Sequence, residues 1–216
     1  MVNQYEDEKS QQIYCIIDKS RVMHMPFHGL SLFDYAVNAS LVISNIVLGK
    51  QDKAGLITFA DTPKSLVKAE RGKLQLKKII ETLYREKEGS VEANYESMYM
   101  TVKKFVTGRC LLFLYTNFES TYALHRVLPQ LRKLNDQHLL VVIFFENTEI
   151  KTDMSGDVKT IEDIYAQTTA EDYTLTKIQL AQELKQHGIM SILTTPEHLT
   201  VSAINKYLEL KSRGMI

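Results

Sequence analysis

The chain has 216 residues, with 26 Lys and Arg against 26 Asp and Glu and a formal net charge of zero. That length suggests one domain, and neutrality gives no global pull toward nucleic acid or an anionic membrane surface. Hydrophobic residues at 44% support a packed core, while two cysteines exclude a secreted disulfide scaffold. Met1–Gln11 is polar and lacks the apolar stretch of a signal peptide. It reads as an N-terminal segment ahead of a single domain over 12–216. Charged residues run straight into a strand, as in a piece excised from a longer protein. Leu111–Tyr115 and Leu139–Phe145, the longest apolar runs, fall far short of the ~20 residues a spanning helix needs.

Gln12–Ile17 is a short β-type run ending at Asp18, and Lys19–Ser31 reads as a loop broken by Pro26 and Gly29. Ser31 is positioned to cap a helix through about Leu48, with Leu32, Ala36, Ala39, Ile43 and Ile46 at helical spacing and Gly49 closing it. Lys53–Phe59 is a second strand. Thr62–Lys68 folds back as an edge strand, where Pro63 is tolerated. Helices are expected over Lys73–Tyr84 and Glu92–Val106. The stripe Tyr95, Met98, Tyr99, Val102 and Phe105/Val106 marks a core face of the second.

Cys110–Thr116 is an apolar strand. Thr121–Asn135 is a helix that Pro129 kinks or restarts, and His138–Phe145 is another buried strand. A polar stretch over Glu146–Asp157 precedes a helical pattern from about Lys159 to His187, with a break expected near Thr168–Glu171 and Gly188 as its end. Ile189–Leu193 is the last strand. Thr195-Pro196-Glu197 then launches a helix to about Lys211, and Gly214 stops it. The runs Leu111–Tyr115 and Leu139–Phe145 lack period-two alternation, so both their faces must be covered. The fold class is therefore α/β, a doubly wound, mostly parallel sheet with helices on both sides.

In such sheets ligands lie beyond the carboxyl ends of the strands. The residues there are Asp18-Lys19-Ser20-Arg21, Ala60-Asp61-Thr62, Thr116-Asn117-Phe118-Glu119 and Glu146-Asn147. No G-x-G-x-x-G, G-x-x-x-x-G-K-[ST] or G-x-S-x-G pattern occurs, which removes dinucleotide, P-loop and nucleophile-elbow chemistry. A haloacid-dehalogenase-type phosphatase would use Asp18 as nucleophile and a second Asp two residues on, but Ser20 stands there. His24 and His28 flank Pro26 in a loop and read as surface histidines. Lys77-Lys78, Lys103-Lys104 and Arg132-Lys133 read as solvated helix faces and not as a nucleic-acid site.

Several blocks together resemble a von Willebrand factor A-type domain. They are Asp18-Lys19-Ser20-Arg21, Phe33-Asp34-Tyr35-Ala36, Asp52 through Phe59, Asn94-Tyr95-Glu96 and Leu114 through Glu119. More closely, they resemble an uncharacterised bacterial domain-of-unknown-function family associated with MoxR-type AAA ATPases. The resemblance implies six strands in the spatial order 3-2-1-4-5-6, with the third antiparallel at the edge. It implies a non-enzymatic protein-interaction module and a MoxR-type ATPase as partner. It also implies a cytoplasmic location, as the soluble part of a membrane-attached parent. It further implies a metal-ion-dependent adhesion site, in which an Asp-x-Ser-x-Ser run, a Thr and an Asp hold Mg²⁺. Here Asp18 and Ser20 are kept, whereas Val22, Ala93 and Asn117 stand where the second Ser, the Thr and the Asp belong.

Mg²⁺ demands near-octahedral oxygen geometry, so the expectation is a degenerate site with no cofactor. Asp18 and Ser20 would at most make a weak Mg²⁺ site. The expected partner-binding rim is Asp18, Ser20, Arg21, Asn94, Asn117 and Glu119. Two alternatives stay open: an Asp18-dependent hydrolase, and a metal-dependent adhesion module with Asp61 or Glu119 as substitute ligands. Placing Asp18 level with Asn117 offsets Cys15 and Cys110 by four residues, about 13 Å along a strand. That exceeds disulfide reach, so both are expected to be buried free thiols.

Overall fold

The computed structural model describes residues 10–146 and 161–216, with side chains in the second stretch from Thr168 onward. Most of the expected N-terminal segment Met1–Gln11 and of the polar stretch Glu146–Asp157, with the expected helix start near Lys159, lies outside the described residues. Among those described, β1 (Gln12–Asp18), β4 (Lys53–Phe59), β5 (Pro63–Glu70), β6 (Leu111–Tyr115), β7 (Leu139–Phe145) and β8 (Met190–Thr194) form one sheet in the order β5-β4-β1-β6-β7-β8. All neighbours pair in parallel except β4 with β5. This is the expected 3-2-1-4-5-6 order with its antiparallel edge, a three-layer α/β fold.

Helices α1 (Leu32–Gly49), α2 (Lys73–Arg85) and α6 (Leu199–Ser212) bury Ala36, Ile43, Ile79 and Tyr207 against one face of the sheet. Helices α3 (Tyr95–Phe105), α4 (Thr121–Gln137) and α5 (Ile161–Gln186) bury Met98, Leu131 and Leu180 against the other. Residues of β1 alternate between the layers: Ile13, Cys15 and Ile17 go to the first, Tyr14 and Ile16 to the second. Covering both faces of a parallel sheet is what makes these strands read as unbroken apolar runs. Helix α1 is long and apolar enough to cross a membrane by composition. It is instead packed in the core through Phe33, Ala39, Ile43 and Val47.

Several boundaries differ from expectation, each for a local reason. The loop after β1 contains a 3₁₀ turn, Arg21–Met23, and a small hairpin of β2 (Pro26–Phe27) and β3 (Leu30–Ser31). His28 and Gly29, with φ of 46° and 80°, supply the left-handed pair that such a two-residue turn needs. Gly49 is the last residue of α1, and the left-handed conformation after the helix falls on Gln51. Helix α3 begins at Tyr95 and not Glu92, because Asn94 is extended (φ −101°, ψ 92°) and its side chain caps the helix by accepting from the Ser97 N–H.

Pro129 neither kinks α4 into two elements nor restarts it. Leu124, Leu128, Leu131 and Leu134 continue one buried face across it. Helix α5 is unbroken at Thr168–Glu171: both threonines lie on its exposed side while Ala170 is buried. Thr195-Pro196-Glu197 opens a 3₁₀ turn, Pro196–His198, and α6 follows from Leu199.

Candidate functional site

The register of β1 against β6 pairs Ile17 with Tyr115. One further step sets Asp18 beside Thr116, one residue earlier than the level assumed from sequence. The same register pairs Cys15 with Phe113, three positions above Cys110. The two buried free thiols also face opposite layers of the core.

That register decides what Asp18 touches. Its Oδ1 accepts from the Ser20 backbone N–H at 2.8 Å, closing a tight turn off the strand. Its Oδ2 accepts from the Thr116 hydroxyl at 2.7 Å. Because Thr116 spends its proton there, Tyr95 OH, 2.6 Å from Thr116 Oγ1, is the donor to it. A longer contact of 3.4 Å runs from Tyr95 OH to Asp18 itself. Asp18 is 0% exposed. Burial pushes its carboxyl above the usual range, against the opposing hydrogen bonds of Ser20, Thr116 and Tyr95. Burial likewise carries the Tyr95 phenol well up, and the nearby Asp18 charge adds to that.

Ser20 is 1% exposed. Its hydroxyl lies near enough to Asp18 to favour the carboxylate, yet it makes no hydrogen bond of ordinary geometry. Asn117 is held by α5. Lys177, 1% exposed, donates from Nζ to Asn117 Oδ1 and to Phe118 O, both at 2.6 Å. Its ammonium also sits 4.9 Å from the centre of the Tyr173 ring. Burial brings the Lys177 amine down to about 8, and Glu119 partly opposes that. The Asn117 side chain also reaches Val22 O, at 3.5 Å.

Over this floor lies a cleft of about 220 Å³ lined by Asp18, Ser20, Arg21, Val22, Ala93, Tyr95, Asn117 and Glu119. Glu92, Tyr122 and Arg126 complete its mouth. Arg21 forms a two-pronged pair with Glu119, both contacts at 3.1 Å. Glu92 sits between two guanidiniums, 3.8 Å from Arg21 and 3.3 Å from Arg126. Two backbone bonds tie the neighbouring loops to this rim, Gly89 N–H to Lys19 O at 2.7 Å and Arg21 N–H to Val91 O at 3.1 Å. At Gly89 a Cβ would meet Lys19 O at 3.1 Å, so the close approach favours glycine.

Of the six residues expected at the rim, Asp18, Ser20, Arg21, Asn117 and Glu119 line this cleft. Asn94 does not: its Oδ1 accepts from Ser97 N–H at 2.9 Å and caps α3. Asp61 lies on the exposed loop after β4, where it pairs with Lys64 at 3.2 Å. Missing from the sequence reading were Thr116 and Tyr95 as partners of Asp18, Arg126 and Glu92 at the mouth, and above all Lys177. A signal for Lys177 did exist. Ala170, Lys177, Leu180 and Leu184 form one buried stripe of α5, and a lysine in an apolar row marks a buried polar contact.

A divalent ion would need free oxygens at these positions. Asp18 has both of its oxygens engaged, Asn117 Oδ1 already faces an ammonium, and Val22 and Ala93 have no side-chain donor. Among the described residues no group of three or more His, Cys, Asp or Glu is arranged to hold a metal.

A family model described as "Protein of unknown function DUF58" matches residues 1–180. Among solved structures, the conserved hypothetical protein BatB from Bacteroides thetaiotaomicron aligns at TM-score 0.56 and 12% identity, over 94% of this chain and 100% of that one. The PilB minor pilin from Streptococcus sanguinis aligns at 0.59 and 11% identity, over 94% of this chain and 63% of that one. The SpRpn10 VWA domain aligns at 0.45 and 12% identity, over 89% and 93%. At these identities the likeness to BatB and PilB is one of fold. No curated protein matches the chain.

Proposed function

The chain belongs to the family described as protein of unknown function DUF58, and from that premise we propose a non-enzymatic protein-interaction module that works through its strand-top cleft without a divalent ion. The observation that carries this reading is the state of Asp18. The carboxylate that would anchor either a metal or a nucleophilic mechanism is fully buried, with one oxygen engaged by Ser20 N–H and the other by the Thr116 hydroxyl. A nucleophile needs an oxygen lone pair open to substrate, and Mg²⁺ strips water only for a well-formed oxygen cage. The burial of Asp18 supports this reading over either role, and the pairing of Asp61 with Lys64 and of Glu119 with Arg21 supports it over their use as substitute ligands. The rim above is open and mixed in charge, with Arg21, Glu92, Glu119, Tyr122 and Arg126 at the surface. Exposed aromatic and arginine side chains around a cleft are the usual anchors of protein recognition.

We extend the proposal to the partner that the sequence resemblance implies, a MoxR-type AAA ATPase, with this domain presented in the cytoplasm by a membrane-attached parent. Two measurements test it. Calorimetric titration with Mg²⁺ and Mn²⁺ is expected to give no submillimolar binding. Such binding, lost in Asp18→Ala, or Asp18-dependent phosphatase turnover, would overturn it. A photo-crosslinking residue at Tyr122, introduced in the source cell, is expected to trap one defined protein. The same probe at Leu208 on α6 should trap none. Equal capture from both positions would count against the cleft.

A further inference from the structure

The two edges of the sheet are built differently. At one edge, β5 carries Pro63, Lys64, Lys68 and Glu70, and its register against β4 shifts twice. Proline, charge and bulges are what keep a sheet edge from pairing with another chain. At the other edge, β8 reads Met190-Ser191-Ile192-Leu193-Thr194, with no proline and no charge, and its register against β7 runs unbroken. Among the described residues β8 pairs with β7 alone. A groove of about 490 Å³ lies along it, lined by Ser191 and Leu193 of the strand, Ile178 and Lys185 of α5 and Lys206 of α6.

We propose that this edge joins a second copy of the chain, the two β8 strands pairing antiparallel about a twofold axis at Ile192. In that register Ile192 meets its own counterpart, Met190 meets Thr194 and Ser191 meets Leu193. Residues that meet share a face. Met190 and Ile192 pack toward the α1 and α6 layer, where Thr194 Oγ1 lies 3.3 Å from Ser202 Oγ of α6, while Leu193 packs toward the other layer. A β-branched pair at the axis is a favourable cross-strand contact. The flanking helix obeys the same axis. Helix α5 and β8 are joined by Ile189 N–H to Leu184 O at 2.9 Å, and the helix runs back alongside the strand. From Ile189 to Ile192 is about 10 Å of strand, which a helix covers in about six or seven residues, from Leu184 back to Ile178. Ile178 is therefore level with Ile192.

Charge selects a second copy over an unrelated strand. Glu171, Leu175, Gln182 and Lys185 stand at helical spacing on the exposed side of α5 that carries Ile178. Two such stripes set antiparallel about Ile178 place Glu171 against Lys185 at both ends, because the two are equidistant from the axis in sequence. They bring Leu175 and Ile178, 55% and 42% exposed, together in the middle. The stripe is thus complementary to itself in charge and apolar at its centre. No residue that lines the groove also lines the strand-top cleft, so the inference is independent of the cleft reading and survives its failure.

The test is sedimentation equilibrium of the full chain. A monomer–dimer equilibrium with Kd on the order of 10 μM is expected. A chain that stays monomeric up to about 200 μM leaves the edge to a strand of some other protein and overturns the inference. Ser191→Lys puts a charge on the edge, and Ile178→Lys puts one at the axis on the helix surface. Each should weaken association about tenfold or more. Ile178 is exposed, so its variant carries the test should Ser191→Lys fail to fold, with circular dichroism as the check. A dimer that survives both substitutions lies on another face and overturns the inference. Glu171→Lys and Lys185→Glu should each weaken the dimer about threefold, and the two together should restore it; a double variant without recovery would count against the pairing. In deuterium exchange, the β8 amides that point away from β7 should slow as the chain concentration rises. Unchanged exchange in a dimeric sample would show that the strands do not pair.

Discussion

Two buried aspartates sit at opposite ends of the same parallel sheet, and they are stabilised in opposite ways. Asp52 stands just before β4 and is 2% exposed. It accepts from Tyr207 OH at 2.6 Å, from Lys211 Nζ at 2.8 Å and from the Gln11 backbone N–H at 3.0 Å. Its charge is matched by a cation, and the bonds pin α6 and the start of β1 to the sheet. Asp18 ends β1, and its hydrogen bonds come only from neutral donors, the Ser20 N–H and the Thr116 hydroxyl. Among the described residues no cationic side chain pairs with it. The nearest buried ammonium, Lys177, is spent on Asn117 and Phe118. A buried carboxylate without a counter-charge is a poor way to build stability. A fold that keeps one beneath an open cleft, while building a complete ion pair elsewhere, separates its structural aspartate from its site aspartate.

The sharpest way to break this comparison is to remove the structural member. Asp52→Ala leaves the Tyr207 hydroxyl, the Lys211 ammonium and the Gln11 N–H without their acceptor. It should cost about 3 kcal/mol, read as a lower urea midpoint. A cost under about 1 kcal/mol would mean that the latch is ornamental.

Next in size is the buried ammonium. Lys177 is held at about 8, below its ordinary 10.5, so the folded chain binds fewer protons there than the unfolded chain does. Stability should therefore rise between about pH 8 and pH 10.5 by an amount on the order of 3 kcal/mol from this group. It should be lowest below pH 8, where the charge must be buried. The check is the ¹⁵Nζ shift of Lys177, expected to titrate near 8. A midpoint near 10.5 would show the amine to be solvated and Asn117 to be free.

How far the sequence reaches follows from which interactions are local. The edge strand and the two covered faces were legible because apolar runs such as Leu139–Phe145 and breakers such as Pro63 act over a few residues, whereas the strand order came only from the family resemblance. The cluster Asp18, Ser20, Arg21, Asn117 and Glu119 was legible because strand ends in this topology converge. The partners of Asp18 were not. Thr116 depends on a one-residue register between β1 and β6, which no local pattern fixes, and Tyr95 lies in a stripe whose other members are core. Lys177 reaches the cleft from 60 residues beyond Asn117, and its only trace was an amine in an apolar row. The Asp52 latch joins residues 155 and 159 positions apart. It is invisible until α6 is docked.

A smaller change sharpens the comparison from the other side. Asp18→Asn keeps size and shape but removes the charge that burial disfavours. The fold should tolerate it within about 1 kcal/mol at neutral pH, in contrast to Asp52→Ala. The pH dependence fixes the sign. Burial raises the Asp18 carboxyl above its ordinary 3.8, so the folded state holds the proton more tightly than the unfolded state. Stability from this group is full below pH 3.8 and declines as pH climbs through the raised value. Asp18→Asn should flatten that decline in urea titrations run across acidic to neutral pH. A variant that keeps the wild-type slope would assign it to other groups.

The smallest effect tests the hydroxyl relay itself. Tyr95→Phe keeps the ring between Phe59 and Phe118, whose centres lie 5.4 Å and 6.4 Å from it, and deletes only the donor to Thr116. The Thr116 hydroxyl still donates to Asp18, so no buried carboxylate oxygen is stranded. The loss should stay near 1 kcal/mol. What should change more is Asp18, whose carboxyl would titrate still higher without the polarised Tyr95–Thr116 chain behind it. A ¹³C measurement of the Asp18 carboxyl in wild type and Tyr95→Phe reads this directly. An unchanged titration would show that Thr116 acts alone and that Tyr95 belongs to the core, as its place in the α3 stripe suggests. A rise would make Tyr95 part of the floor on which the cleft is built.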